Sequence, residues 1–126
     1  MDKGYLLDTN TIIDFSANRL SEENHKYIAG IIDEFPQISI INKIELLGFA
    51  NVPKQIILFT ENAFVIALND EIAVQTILLR KEYKIKLPDA IIAATAMVFN
   101  LTLITNNTDD FKNISDLEIL NPHSVT

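Results

Sequence analysis

Residues 5–14 read YLLDTNTIID and decide the fold, because a short apolar run with a polar end leads directly into a helical pattern. Residues 5–7 predict a buried strand that ends at Asp8. The next two residues are polar and predict the cap of a helix that begins at about Thr11. The chain therefore opens with a strand followed at once by a helix, with an acid at the junction.

The same alternation of strand-length apolar runs and longer amphipathic segments continues to the end of the chain. We expect further strands at residues 38–41, 63–68, 101–104 and 117–120, helices at residues 23–34, 69–83 and 87–99, and two more helices that begin at Asn42 and near Pro53. No repeat or linker divides the 126 residues. The pattern predicts a single α/β domain, residues 1–126, with a mainly parallel sheet of four to five strands.

Composition excludes several kinds of chemistry. The chain has no cysteine, which excludes disulfides, thiolate zinc sites and cysteine nucleophiles and fits a reducing compartment. No apolar stretch is long enough to span a bilayer, and the first residues do not form a signal peptide, so we expect no membrane association. The net charge of −7 disfavours nucleic acid as a ligand unless some carboxylates hold cations, which reverse the local field.

Four acids fall where an open parallel sheet binds its ligands, beyond the carboxyl ends of the strands. Asp8 ends the first strand, Glu45 lies in the first turn of the helix after the second strand, and Asp110 lies just beyond the fourth. Asp89 opens the helix that precedes the fourth strand and is able to reach the same edge. Carboxylates crowded in this way repel one another, and Mg²⁺ or Mn²⁺ resolves the conflict with oxygen ligation.

Each acid also has an ordinary structural interpretation. Glu45 and Asp89 lie near helix N-termini, where the helix dipole favours acids, and Asp110 lies in a polar turn beside Asp109. The four gain weight only as a set that converges. We interpret Asp14 as solvated or supporting.

Other polar residues have ordinary interpretations as well. His25 and His123 are interpreted as surface residues without a catalytic context. The only dense basic cluster, residues 80–86, is interpreted first as a solvated helix end and second as a phosphate contact.

Four motifs in order resemble those of the PIN domain, and specifically of the VapC-type toxin ribonucleases. They are LLDTNTIID at residues 6–14, ISIINKIELLG at 38–48, LPDAIIAATA at 87–96 and LITNNTDDF at 103–111, with Asn-Pro at 121–122 closing the chain. The resemblance covers nearly the whole length. It implies a PIN-like three-layer α/β/α fold.

The resemblance also implies roles for individual residues. Asp8, Glu45, Asp89 and Asp110 match the acidic catalytic and metal-binding positions, and Asn10, Thr105 and Asn107 match supporting polar positions. Two positions depart from the pattern: Asn42 stands where relatives often carry Ser or Thr, and Asn106 where many carry a basic residue. Asp109 adjoins Asp110, so the fourth acid stays open between them, although the Asp-Phe pair favours Asp110.

By the same resemblance, the chain is expected to be a cytoplasmic Mg²⁺- or Mn²⁺-dependent endoribonuclease and the toxin of a type II toxin–antitoxin pair. Its implied partners are an RNA substrate, a VapB-type antitoxin and a second copy in a homodimer, for which residues 56–59 are a candidate contact or, equally, core. The alternatives are a non-catalytic PIN-like interaction module and a stand-alone PIN nuclease. A receiver-like phosphoacceptor domain does not fit, because Asn42 and Asn69, not Asp, follow the mid-chain strands.

Overall fold

The computed structural model describes residues 3–125 and shows strands alternating with helices along the chain. The strands are β1 Tyr5–Leu7, β2 Gln37–Ser39, β3 Phe64–Ile66, β4 Thr102–Ile104 and β5 Ile119–Leu120. The helices are α1 Thr9–Ser16, α2 Glu22–Glu34, α3 Ile40–Leu47, α4 Lys54–Asn62, α5 Asp70–Glu82 and α6 Leu87–Val98, and a 3₁₀ turn covers Thr108–Asp110. The predicted α/β class is confirmed.

All paired strands run parallel, in the order β1-β4-β5 and, separately, β2-β3. β2 lies beside β1, where the Gln37 side-chain Nε2 donates to the Tyr5 carbonyl oxygen at 3.2 Å. A side-chain amide thus bonds between the two parts of the sheet, which are not joined by a backbone ladder. The five short strands form the predicted central parallel layer in two hydrogen-bonded parts.

Successive strand residues point to opposite faces of this layer and build two separate cores. Leu6 and Leu103 pack under α5 and α6 on one face, whereas Leu7 and Ile104 pack under α1 to α4 on the other. All four leucine and isoleucine side chains are fully buried. Every residue of α6 from Ala90 to Ala96 is buried, because small alanines let that helix approach the sheet closely. The three layers of the predicted fold follow from this division.

Several predicted boundaries were wrong, and hydrogen bonding at the helix starts explains those of α1, β2 and α3. Helix α1 begins at Thr9, not Thr11, because Asp8 itself is the N-cap and accepts from the Thr9 amide. The second strand ends at Ser39, not residue 41, because Ser39 caps α3. Asn42 is therefore not a cap but lies one turn inside, where its Oδ1 accepts from the Ser39 amide at 2.9 Å. β3 and β5, expected at residues 63–68 and 117–120, form pairs only over Phe64–Ile66 and Ile119–Leu120.

Residues 56–59, the candidate dimer contact, divide between core and surface. Ile56 is buried on the inner face of α4, whereas Ile57 and Leu58 are 40% and 47% exposed. Within residues 3–125, no helix has both the length and the apolar character needed to cross a membrane.

Candidate active site

The carboxyl ends of β1, β2 and β4 meet at one edge of the sheet, and the predicted acids lie around it. Asp8 follows β1, α3 with Glu45 follows β2, and Thr105 follows β4. Asp8 is bound to the neighbouring strand, because its amide donates to the Ile104 carbonyl oxygen at 2.9 Å. This edge is the position at which parallel sheets bind ligands.

Asp8 is the centre of the site and is 5% exposed. Its Oδ1 accepts from the Thr9 amide at 2.8 Å and from Asn42 Nδ2 at 3.1 Å. Its Oδ2 accepts from Thr105 Oγ1 at 2.8 Å and from Asn10 Nδ2 at 3.4 Å. Four donors from three parts of the chain therefore fix both carboxylate oxygens.

The effect of burial on the pKa of Asp8 nevertheless exceeds the effect of these hydrogen bonds. Removal from water raises the pKa of the Asp8 carboxyl above its ordinary value, and the four hydrogen bonds, led by that of Thr105, lower it only in part. An ionised carboxylate in this position is left with uncompensated charge. A cation at the edge of the sheet would supply that compensation.

Glu45 is connected to Asp8 through Thr9. The Thr9 hydroxyl donates to Glu45 Oε1 at 2.7 Å and accepts from Asn42 Nδ2 at 3.1 Å. The Asn42 amide, which also bonds Asp8, thus links the two acids on different elements. Asn42 therefore contacts Asp8 directly and Glu45 only through Thr9, at the position where the resemblance led us to expect Ser or Thr. The contribution of Thr9 was missed, although its place directly after Asp8 was a signal.

The pKa of Asp89 depends on the positions of the other three acids. Its pKa is raised, first by partial burial and then by the negative charges of Asp110, Asp8 and Glu45, while Lys86 lowers it. Each of the other three carboxylates is therefore within electrostatic reach of Asp89. The structure brings all four predicted acids together at one edge of the sheet.

The fourth acid lies in the 3₁₀ turn after β4. Asn107 Nδ2 donates to Asp110 Oδ2, and the Asn107 amide donates to Thr105 Oγ1 at 3.0 Å. The neighbouring Asp109 is exposed and pairs with Lys112 at 3.3 Å. Asp110, and not Asp109, is among the charges that act on Asp89. This difference favours Asp110 as the acid that belongs to the cluster.

The donor set suits a hard divalent cation. Carboxylate oxygens are the ligands that Mg²⁺ and Mn²⁺ prefer. Within residues 3–125, no three His, Asp or Glu side chains stand close enough to enclose an ion on their own. Mg²⁺ keeps several water molecules in most protein sites and does not need three carboxylates in direct contact. The four acids and the uncompensated charge of buried Asp8 therefore fit a hydrated ion of this type.

Asp14 is buried, not solvated as its first interpretation had it. Its Oδ2 accepts from Asn106 Nδ2 at 2.8 Å and lies 2.8 Å from His123 Nε2, and its Oδ1 lies 3.4 Å from Arg19 Nη1. The Asn106 amide in turn donates to Asn10 Oδ1 at 3.0 Å. Asp14 thus supports the loop after β4 through its hydrogen bond with Asn106. This agrees with its other interpretation, a supporting role.

The two histidines differ from their interpretation as simple surface residues. His123 is 40% exposed by its side chain, yet its ring bonds the buried carboxylate of Asp14. His25 is half-buried and stacks on Phe15, with ring centroids 4.3 Å apart. Neither ring is among the groups that shift the pKa of Asp8 or Asp89.

The fold and the site together define a class: an α/β domain with a parallel central layer and a cluster of carboxylates, suited to a divalent cation, at its carboxyl edge. Within that class the family is shown by sequence. The sequence model of the PIN domain matches residues 5–117, and the chain belongs to the PIN domain family. No curated protein sequence matches the chain.

Solved structures of similar fold come from toxin–antitoxin complexes. The chain is 32% identical to a chain of a toxin–antitoxin complex from Klebsiella pneumoniae, with a TM-score of 0.76 and coverage of 96% of this chain and 99% of that one. It is 30% identical to a chain of VapBC-1 from nontypeable Haemophilus influenzae, with a TM-score of 0.72 and coverage of 95% and 98%. It is 27% identical to a chain of VapBC2 from Rickettsia felis bound to a DNA fragment from its promoter, with a TM-score of 0.75 and coverage of 93% of this chain and 97% of that one. The resemblance to VapC-type PIN domains is confirmed.

Proposed function

We propose that this chain is a VapC-like toxin that hydrolyses RNA phosphodiester bonds with Mg²⁺ or Mn²⁺ held by Asp8, Glu45, Asp89 and Asp110. The observation that supports this most is the hydrogen-bond network at the carboxyl edge of the parallel strands, which fixes both oxygens of buried Asp8 and joins it through Thr9 to Glu45. Membership of the PIN family and the likeness to chains of VapBC complexes support the same proposal.

Each residue of the site has a separate role in this mechanism. Asp8, fixed at both oxygens, provides a rigid anchor, and Glu45 is oriented beside it through Thr9. When bound, the cation supplies a Lewis acid that lowers the pKa of a water molecule and offsets phosphate charge. Asp89 lies in the first turn of α6, where its carboxylate would hold the cation or accept a proton from the attacking water. Asn107 holds Asp110 at the rim of the site.

Cleavage of a labelled single-stranded RNA by the purified protein tests this proposal. We expect cleavage with Mg²⁺ or Mn²⁺, none with EDTA, and a loss of at least about 10²-fold in Asp89→Asn, the scale of removing one general acid or base. Asp109→Asn is the matched control, since it removes the same charge from an exposed residue nearby. Cleavage that persists in EDTA, or that Asp89→Asn and Asp109→Asn support equally, contradicts the mechanism. Absence of cleavage under all conditions would indicate the non-catalytic interaction module instead.

We further propose a VapB-type antitoxin as the partner and a homodimer as the assembly. The similar chains of the toxin–antitoxin complex from Klebsiella pneumoniae and of VapBC-1 from Haemophilus influenzae support the antitoxin partner. Exposed Ile57 and Leu58 on α4 are candidate contact residues between copies. Light scattering of the purified chain, alone and with the product of a neighbouring small gene, tests both points. A monomer with no bound partner and full ribonuclease activity would indicate a stand-alone nuclease.

A further inference from the structure

The chain has a dense cluster of positive charge between α5 and α6. Residues 80–86, RKEYKIK, contain four of the ten lysines and arginines of a chain whose net charge is −7. All four basic side chains of this segment, here called the basic segment, are exposed. None of them belongs to any of the ion pairs found among residues 3–125. Their charges are therefore available to an external anion.

The basic segment lies beside the acidic site. It connects α5 to α6, which pack against each other as a hairpin, and it ends at the residue that precedes α6. Lys86 is that residue, and Asp89 lies three positions further on, in the first turn. The Lys86 charge is close enough to act on the Asp89 carboxyl. A phosphate bound beside Asp89 would therefore lie near Lys86.

Helix stability explains only half of this charge. Arg80 and Lys81 lie in the last turn of α5, where the negative end of the helix dipole favours cations. Lys86 occupies the N-cap of α6, at the positive end of a helix, and makes no capping hydrogen bond with its side chain. Serine, threonine, aspartate or asparagine is preferred there, and a cation is unfavourable. Lys84 lies beyond the end of α5, outside the last turn in which the helix dipole favours cations.

We propose that Lys84 and Lys86 bind backbone phosphates of the single-stranded RNA that enters the carboxylate cluster, on the side of the scissile bond nearest α6. The proposal rests on the proposed function for the choice of RNA. The positive charge of these two lysines would offset the repulsion between the acidic protein and its polyanionic substrate. Because lysine contacts phosphate as a point charge, these contacts select no base sequence.

Counterion release sets the expected size of the effect. Each phosphate contact on a single strand contributes about 0.7 to the slope of log K against log salt concentration. Loss of both contacts should therefore reduce the slope by about 1.4 and, at about 0.1 M salt, weaken binding by about 25-fold.

Binding is measured by fluorescence anisotropy of a labelled single-stranded RNA between low and moderate salt, with Ca²⁺ present to occupy the site. The test variant is Lys84→Gln/Lys86→Gln. The control is Lys26→Gln/Lys54→Gln, which removes the same charge from exposed lysines on α2 and α4, helices that supply none of the four acids. Thermal unfolding checks that both variants fold equally well. A single-stranded DNA of the same sequence is the second probe.

We expect the test variant to lose about 25-fold in affinity for RNA and DNA alike, with a shallower salt slope, and the control to keep most of its affinity. Equal losses in the two variants, a loss confined to RNA, or no binding by the wild-type chain would overturn the proposal. Failure of the proposed nuclease function looks different, because RNA then binds through Lys84 and Lys86 but is not cleaved.

Discussion

Replacing Thr105 with valine removes one hydroxyl group from the centre of the site and leaves the shape of the side chain almost unchanged. Thr105 is fully buried, and its Oγ1 donates to Asp8 Oδ2 at 2.8 Å while accepting from the Asn107 amide and from Asn10 Nδ2. Valine at this position offers no replacement for any of these bonds. Asp8 would lose its strongest side-chain donor, and the Asn107 amide would lose its acceptor.

The expected loss of stability follows from these contacts. A hydrogen bond to a charged group contributes about 1.5–3 kcal/mol, and we expect Thr105→Val to lower the free energy of unfolding by about 2–3 kcal/mol at neutral pH. For a chain of this size that corresponds to a fall in Tm of about 6–12 °C. Because the Thr105 bond favours ionised Asp8, the deficit should be largest where Asp8 is ionised. It should shrink as falling pH protonates Asp8, whose pKa is already raised by burial.

Urea unfolding followed by circular dichroism at neutral and acidic pH measures this difference. Thr102→Val, at the start of β4, is the matched control, since its hydroxyl makes only a long, exposed contact of 3.4 Å to Glu118. We expect the control to change stability by less than about 0.5 kcal/mol, as surface substitutions do. If the two variants unfold at the same urea concentration, Thr105 does not hold Asp8 in the way described.

Three further outcomes follow from the structure. Without divalent cations, Asp89→Asn should be more stable than the wild-type chain at pH 7. Because the pKa of Asp89 is raised in the folded state, that advantage should disappear as pH falls towards the ordinary titration range of aspartate; urea titrations at several pH values would show a constant difference if the reasoning is wrong. Leu46→Ala, at a fully buried position in α3, should cost about 2–5 kcal/mol in chemical denaturation, and a cost near zero would contradict the assigned core. Asn100 ends α6 with φ of 54°, so Asn100→Ala should lower stability by about 1 kcal/mol while Asn100→Gly changes it little, and equal losses would argue against the left-handed conformation.

The order of the elements was predictable because each strand and helix carries a local apolar pattern. Residues 5–7 are too short for a helix, and the stripe in α2 has helical spacing. Residues 38–41 were misread because isoleucine suits both a strand and a buried helix turn. The hydrogen bonds between Ser39 and Asn42, which no hydrophobic pattern encodes, decide in favour of the helix.

The grouping of the acids was predictable for a different reason. Parallel strands place their carboxyl ends at one edge, so the position of an acid relative to its strand locates it in space. The surroundings of Asp14 had no such rule behind them. Asn106 and His123 lie 92 and 109 residues from Asp14 along the chain, and only the completed tertiary structure brings them together.

The side chain of Asn42 takes part both in the start of helix α3 and in the acidic site. Its oxygen closes the first turn of α3, while its nitrogen bonds Asp8 and Thr9. Local opening of that turn would therefore disconnect the acid pair even while the remainder of the protein stays folded. Hydrogen exchange at the Ser39 amide would therefore measure how often the hydrogen bonds between Asp8, Thr9 and Glu45 open.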